Sequence, residues 1–349
     1  MTIGTTSLSY GIATQYFDYI VPAFRRNLVW DQLLSLTQFA KTTYQGKGSA
    51  VNVVIDDDYQ ESVTAITQIT DGGRTDTSYV PTVVTMTPTE YGKLSWTLTG
   101  KGNLQFFDDA NSKVMGQVSN AAVKSYDTII AAAALEGGTA TDDSVIGGST
   151  RFRVINPDAA HKPGGALTTD HVTKAMIDLQ DRDVPTFDNG MYVAVIHPAM
   201  KYDLMNEVAA SGMPWTEYSK FRQAGISEIG EFARGIIGTW AGFVWVESNS
   251  PSMKIASGGS GGGYSYKTLF CGKNYLAAAF VPVGNLPWNG EGERYPIHPY
   301  IELRVKGDSS DNLCRNKKFG YYMIGACGVA KKNAGFFYVS KSAFAALPN

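Results

Sequence analysis

The sequence predicts an α+β fold, in which helices and strands are interspersed and one long helix lies across a sheet. Two observations predict it. Residues 107–136 carry the longest helical pattern in the chain, and short strand patterns occur both before and after them. These strands and helices do not alternate regularly, as they would in a doubly wound parallel sheet.

The first 50 residues are predicted to form an N-terminal arm. Bulky apolar residues recur through positions 16–39, which is too many for a solvated tail, but Pro22 and polar residues interrupt them. They therefore do not form an independent core. Two interpretations remain open: an arm that packs on another surface, or an N-terminal pair of helices that docks on its own domain.

Residues 51–92 are predicted to form an extended hairpin loop. Alternating residues at 51–55 indicate a first strand, which the acidic run Asp56–Asp58 follows. The next two strand patterns, Glu61–Thr70 and Tyr79–Thr87, flank an Asp-Gly-Gly turn signal. Both patterns are rich in Thr, Gln and Ser on both faces, so this hairpin needs a partner surface in order to be stable.

Residues 93–165 are predicted to form a domain built on the long helix. A half-buried strand, Lys93–Thr99, leads into the helix, which would be roughly 45 Å long. Apolar residues recur on one face of the helix at steps of three and four: Val114, Val118, Ala122, Tyr126 and Ile129. The core helix of a large enzyme would show the same pattern, so the helix alone does not identify a function.

A second domain is predicted over residues 166–310, followed by C-terminal strands in residues 311–349 that return to the sheets. Two further helices are expected at Thr168–Asp181 and Ala199–Ala210. Strand patterns occupy Arg151–Ile155, Met191–Ile196, parts of Ile226–Val246, Tyr266–Cys271, Ile301–Lys306, Phe319–Val329 and Phe336–Ser340.

Composition excludes several classes of protein. The net charge of the 349 residues is -2, so no basic field indicates nucleic-acid recognition. Charged residues make up 18%, below the usual quarter or so, which is typical of a surface that meets other subunits. Three cysteines without CxxC spacing indicate a reducing compartment. No signal peptide or membrane-spanning run is recognisable, so we expect a soluble protein made in a cytoplasm.

No constellation of catalytic residues is recognisable either. Gly258–Gly262 formally matches the GxSxG elbow around Ser260, but glycines surround it and no helix follows. Asp181 and Asp183 flank Arg182 at a predicted helix end, where solvated charge is usual. The histidines show no metal-ligand spacing: His161, His171, His197 and His298. We therefore predict no catalytic residue, no cofactor and no metal site.

Four segments carry a resemblance to a known family. They are PTEYGKLSWTLTGK at Pro88–Lys101, the long helix with Asp127 and its Ala-rich end, MYVAVIHPAMKYDL at Met191–Leu204, and the EIG-containing segment Ile226–Asn249. With these segments the sequence resembles the major capsid proteins of tailed bacteriophages, which have the Hong Kong 97-type fold. The resemblance covers nearly the whole chain, and the Gly-rich insert Gly258–Gly263 departs from it.

The resemblance implies a particular architecture and role. The long helix would be the spine helix beside a peripheral sheet, and residues 166–310 would form an axial α+β domain. The protein would be a structural subunit, not an enzyme, that assembles with itself into pentamers and hexamers of an icosahedral head. Its further partners would be a portal protein, a scaffold or decoration protein, and packaged double-stranded DNA contacted non-specifically, with no membrane. Assembly would take place in the cytoplasm of the host bacterium.

The extended loop would then lie on a neighbouring subunit. The residues expected at that contact are Glu61, Val63, Ile66, Ile69, Arg74, Tyr79 and Val83. Two alternatives remain: an enzyme with an unrecognised site, and a structural or receptor module of a phage tail.

Overall fold

The computed structural model describes residues 29–36, 50–55, 82–98, 110–135, 152–155, 164–207, 236–256, 264–288, 292–307 and 316–342. Several predictions lie outside this part of the chain. They concern most of the N-terminal arm, residues 56–81 of the extended loop, His161, Ser260 and Cys314.

The described residues form both helices and strands, in the irregular order that the sequence predicts. The helices are α1 (Trp30–Leu36), α2 (Ala110–Ala134), α3 (Thr169–Asp181) and α4 (Pro198–Asn206). The strands are β1 (Val51–Ile55), β2 (Thr82–Met86), β3 (Thr89–Leu98), β4 (Phe152–Val154), β5 (Tyr192–Ile196), β6 (Ile236–Trp240), β7 (Phe243–Glu247), β8 (Lys254–Ala256), β9 (Tyr264–Cys271), β10 (Leu276–Phe280), β11 (Glu293–His298), β12 (Ile301–Gly307), β13 (Lys317–Val329) and β14 (Gly335–Lys341).

The long predicted helix is α2, and its buried stripe winds around it. Ile129, which the sequence places on the apolar face, is only partly buried, whereas the neighbouring Ile130 is fully buried. Residues four apart advance by about 40° more than a full turn, so a stripe spaced in fours rotates along the helix. The buried residues follow that spacing: Val114, Val118, Ala122, Tyr126, Ile130 and Ala134. The two halves of α2 therefore pack against different partners.

The N-terminal half of α2 packs on a five-stranded sheet. In this antiparallel sheet β13 pairs with β3, β10 and β12, and β11 pairs with β12. A small apolar cluster joins helix and sheet: Leu98, Val114, Val118, Leu303, Val305 and Phe319. At Gly325 on β13, a Cβ atom would lie 2.1 Å from the Phe280 ring, so only glycine fits there.

The C-terminal half of α2 belongs to the larger core around a seven-stranded sheet. The strand order is β4-β14-β9-β5-β7-β6, with β8 paired to β9. The β4–β14 and β5–β7 pairs are parallel, and the others are antiparallel. Phe243, Trp245, Phe270, Phe336 and Tyr338 form a chain of edge-to-face and tilted ring contacts in this core. Such ring contacts stabilise the core beyond the effect of the apolar area that they bury.

The described part of the N-terminal arm docks on its own chain. Helix α1 buries Trp30, Leu33 and Leu34 in the core that holds the C-terminal half of α2. The Trp30 backbone N–H donates to the Asp127 carboxylate on α2 at 2.9 Å, and its indole N–H donates to Ser248 Oγ at 3.0 Å. Of the two interpretations, docking on its own domain therefore holds for residues 29–36.

The base of the extended loop pairs differently from the sequence prediction. The sequence places the strand at 51–55 ahead of a separate hairpin with arms at Glu61–Thr70 and Tyr79–Thr87. In the structure β1 itself pairs with β2, antiparallel, from Val51–Met86 to Ile55–Thr82. The alternation of residues along a segment predicts a strand but does not show which other strand it pairs with. The sequence therefore did not identify β1 as the partner of β2.

Candidate functional site

The described residues show no arrangement that suits catalysis with a metal. In this part of the chain no group of three or more His, Cys, Asp or Glu side chains could hold a metal ion. None of its helices is both long and apolar enough to cross a membrane.

Each of the three described histidines makes a contact within the fold. His171, in the first turn of α3, accepts a hydrogen bond at Nδ1 from the backbone N–H of Thr168 at 3.3 Å, as part of a capping box. His197 caps α4, where its Nδ1 accepts from the Ala199 N–H at 3.1 Å. His298 on β11 places Nε2 3.6 Å from Asp31 of α1. The contacts of His171 and His197 stabilise the starts of α3 and α4, and the contact of His298 joins β11 to α1.

The buried His197 makes stability depend on pH. Burial, and secondarily the nearby Lys254 charge, lowers the pKa of His197 to about 4. The unfolded chain binds this proton near pH 6.5, so below that pH the unfolded state takes up more protons than the native state. The free energy of unfolding should therefore fall by about 2 kcal/mol between pH 6.5 and 4.5 on account of this residue.

Asparagine at this position can cap the helix without titrating. In urea titrations across this pH range, His197→Asn should lose about 2 kcal/mol less unfolding free energy than the parent protein. Equal losses in the two proteins would assign the pH dependence to other groups.

The two described cysteines are unsuited to nucleophilic chemistry. Burial raises the pKa of the Cys271 and Cys327 thiols to about 12, so neither forms a thiolate at neutral pH. Asp181 and Asp183 are both exposed at the end of α3, as the sequence predicts for solvated charge.

The ladder of β1 and β2 is a candidate contact surface. Its two ends differ. Met86 is 5% exposed and packs among four alanines on or beside β10 and β13: Ala277, Ala279, Ala326 and Ala330. Val51, which pairs with Met86, is partly buried against the same cluster. The ladder is thus fixed to the five-stranded sheet at this end, while Ile55 and Thr82 pair at the other end.

Three described side chains of the ladder are exposed to solvent. Val83 is 50% exposed, and Asn52 and Thr85 are exposed, with the Thr85 hydroxyl donating to the Asn52 side chain at 2.8 Å. Val83 is one of the contacts that the sequence predicts between subunits. The other six, from Glu61 to Tyr79, lie outside the described residues.

The structure also reveals a charged cluster that the sequence analysis missed. Glu302 on β12 is fully buried and lies between two arginines. Its Oε2 accepts from Arg294 Nε at 2.8 Å, and its Oε1 accepts from Arg304 Nε at 2.5 Å. Arg294 and Arg304 are opposite each other on β11 and β12. Such cross-strand placement depends on register, for which the sequence carried no signal here.

Comparison with known proteins gives matches in structure alone. No protein-family model matches the sequence, and no curated protein matches it. The capsid structure of cyanophage P-SCSP1u is similar, with a TM-score of 0.56 and 13% identity, over 95% of this chain and 93% of that chain. The capsid of Ralstonia phage GP4 has a TM-score of 0.58 and 11% identity, over 87% and 86% of the two chains. The capsid of the native GTA particle has a TM-score of 0.57 and 11% identity, over 95% and 96%.

These structures match over most of both chains. At 11–13% sequence identity, the structural likeness shows a common fold and nothing further. The chain has the fold of tailed-phage capsid proteins, the Hong Kong 97-type fold that the sequence resemblance implied.

Proposed function

We propose that this chain is a major capsid protein, which assembles with itself into pentamers and hexamers and encloses double-stranded DNA in an icosahedral head. The observation that carries the proposal is the likeness in fold, over nearly the whole chain, to solved phage capsids. The role is then structural and not enzymatic. The protein's place is the virion, after assembly in the cytoplasm of the host bacterium.

The ladder of β1 and β2 supports self-assembly. An isolated two-stranded hairpin is marginally stable in water, and the described part of this one packs on its own subunit at the Met86 end. Its exposed residues Asn52, Val83 and Thr85, and the loop that the two strands carry, can gain stability by packing on a neighbouring subunit. Many such weak contacts, each repeated around a closed shell, give a stable particle.

The charge of the chain suits a container for DNA. At a net charge of -2, the subunit supplies no strong attraction for phosphate. Tight phosphate contacts would make retention and release of DNA steeply dependent on salt.

A portal protein and a scaffold or decoration protein complete the set of proposed partners.

Electron microscopy of the purified protein tests this proposal. Protein expressed alone and concentrated should form closed shells, or rings of five and six subunits, and size-exclusion chromatography should show the same species. A protein that stays monomeric at every concentration, with or without a crowding agent, would contradict the proposal. Monomers with enzymatic turnover would favour an enzyme, and tubes or fibres would favour a tail module.

A further inference from the structure

The loop between α3 and β5 contains an Asn-Gly pair in an exposed turn. Asn189 and Gly190 are both exposed, and so is Asp188 before them. The Phe187 N–H donates to the Met191 carbonyl at 3.0 Å, and the Gly190 N–H donates to the Phe187 carbonyl at 2.8 Å. These two bonds close a three-residue loop in which Gly190 has a φ of 72°. Glycine adopts this left-handed conformation without strain, which explains its place at the end of the loop.

The Asn189 side chain folds back over the peptide that follows it. Its Oδ1 accepts a hydrogen bond from the Met191 N–H at 3.0 Å. Asparagine commonly bonds its own backbone two residues on in this way. The ring closed by this bond contains both the side-chain carbon Cγ and the Gly190 nitrogen, so it keeps these two atoms near each other. The Met191 N–H also polarises the side-chain carbonyl and would stabilise negative charge that develops on Oδ1.

The nitrogen of Gly190 is accessible. A Cβ atom at Gly190 would meet no atom within 4 Å other than those of its chain neighbours, so the space around the turn is open. Glycine has no side chain to shield its own nitrogen. In the sequence only Asn189 and Asn289 directly precede a glycine, and Asn289 lies outside the described residues.

One contact opposes attack by the Gly190 nitrogen. Its N–H donates to the Phe187 carbonyl, so the nitrogen cannot lose its proton until that bond opens. Asp188 in the same loop pairs with Lys273 Nζ at 2.8 Å, but its side chain is 85% exposed, and exposed pairs contribute little. All three residues of the loop are exposed, so opening it moves no buried side chain of the loop itself. Such a turn opens locally at far lower cost than the whole fold.

We propose that Asn189 is a site of spontaneous deamidation in the folded protein. Once the Gly190 nitrogen has lost its proton to hydroxide, it attacks Cγ of Asn189. The side-chain nitrogen takes a proton from water and leaves as ammonia, and a cyclic succinimide forms. Water then opens the ring at either carbonyl, which gives aspartate or isoaspartate. Overall, water is consumed and ammonia is released. The reaction needs no second copy of the chain, so it does not depend on the proposed function.

The two products affect the turn differently. Aspartate keeps an oxygen that can accept from the Met191 N–H and adds a negative charge beside Asp188. Isoaspartate adds one carbon to the backbone inside the three-residue loop, so the bonds between Phe187 and Met191 no longer fit. Strand β5 begins directly afterwards, at Tyr192. Amide hydrogen exchange at Met191 should therefore be faster in the isoaspartate form than in the aspartate form.

Incubation of the whole protein in water enriched in heavy oxygen tests the site. At mildly alkaline pH, peptide mapping by mass spectrometry should show labelled acid at position 189, as a mixture of aspartate and isoaspartate. The label separates this reaction from deamidation during digestion. The rate should rise with pH, because the Gly190 nitrogen must lose its proton before it attacks. Protein unfolded in urea should react faster by about tenfold at most, because a turn opens at low cost.

Asn274 is a matched control in the same structure. It also has a left-handed backbone, with a φ of 74°, but the bulky Tyr275 follows it, so it should stay unlabelled. Asn189→Gln should carry no labelled acid at this position over the same period, since glutamine would have to form a larger ring. Labelled acid in the unfolded but not in the folded protein would overturn the proposal, because the turn would then protect Asn189. Equal labelling of Asn189 and Asn274 would also overturn it, because neither the glycine nor the turn would then matter.

Discussion

Val118→Asp is expected to unfold the subunit. Val118 is 0% exposed and lies in the cluster that joins α2 to the five-stranded sheet, with Leu303, Val305 and Phe319 as neighbours. An unpaired carboxylate in such a site costs several kcal/mol, against a total stability of roughly 5–15 kcal/mol. Circular dichroism and urea titration should show loss of the cooperative transition, or a midpoint far below that of the parent.

Two substitutions on the same helix serve as controls for Val118→Asp. Gln117→Asp introduces the same charge one residue away, at an exposed position, and should change stability by no more than about 0.5 kcal/mol. Val118→Ala removes apolar volume without adding charge and should cost about 2 kcal/mol. A soluble Val118→Asp protein with the parental midpoint would mean that the helix face around Val118 is not buried.

Replacing residues 58–80 with a short Gly/Ser linker is expected to abolish shells and leave the subunit folded. The replacement spares β1 and β2, whose pairing anchors Met86 in its alanine pocket. The removed segment is rich in Thr, Gln and Ser, so it can contribute little to the core of its own chain. Thermal melting should match the parent within a few degrees, whereas electron microscopy should show no closed particles.

A second loop supplies the control for this replacement. Residues 257–263 join β8 to β9, which pair up to Ala256 and Tyr264. Lengthening this Gly-rich connection by a short Gly/Ser peptide should preserve both folding and shells, because the entropy cost of closing a loop grows only slowly with its length. If the variant that lacks residues 58–80 still forms normal particles, the extended loop is not the contact between subunits. If it unfolds, the loop belongs to the core of its own chain.

The main elements of the fold were predictable from the sequence because their patterns are strong. The period of α2 and the buried run of β5 identify these elements directly. The exact face of α2 was not predictable at its C-terminal end, where Ile130 and not Ile129 is fully buried. A spacing of three and four residues assumes that the helix packs against one surface. Helix α2 packs against two, and its buried stripe rotates from the five-stranded sheet to the larger core.

Other features depended on information that a single sequence lacks. Strand β11 reads ERYPIH and was not predicted, because an exposed edge strand shows no clear alternation and here contains Pro296. The docking of α1 was left open, since apolar residues signal burial but do not name the surface that buries them. The cluster of Arg294, Glu302 and Arg304 required the register of two strands. Predictions for the extended loop await the experiments above.

The pairing of β13 has a consequence for how this protein is made. The Tyr321 hydroxyl on β13 contacts Ser125 on α2, and these residues are 196 positions apart in the sequence. At about 5–20 residues per second, a ribosome needs on the order of 10–40 s to travel between them. During that interval α2 has left the ribosome with the β13 side of its apolar stripe uncovered. Contacts of this range also slow folding. Uncovered apolar surface favours aggregation, so the nascent chain is most prone to aggregate in this interval, and its sheet cannot be completed before β13 has been synthesised.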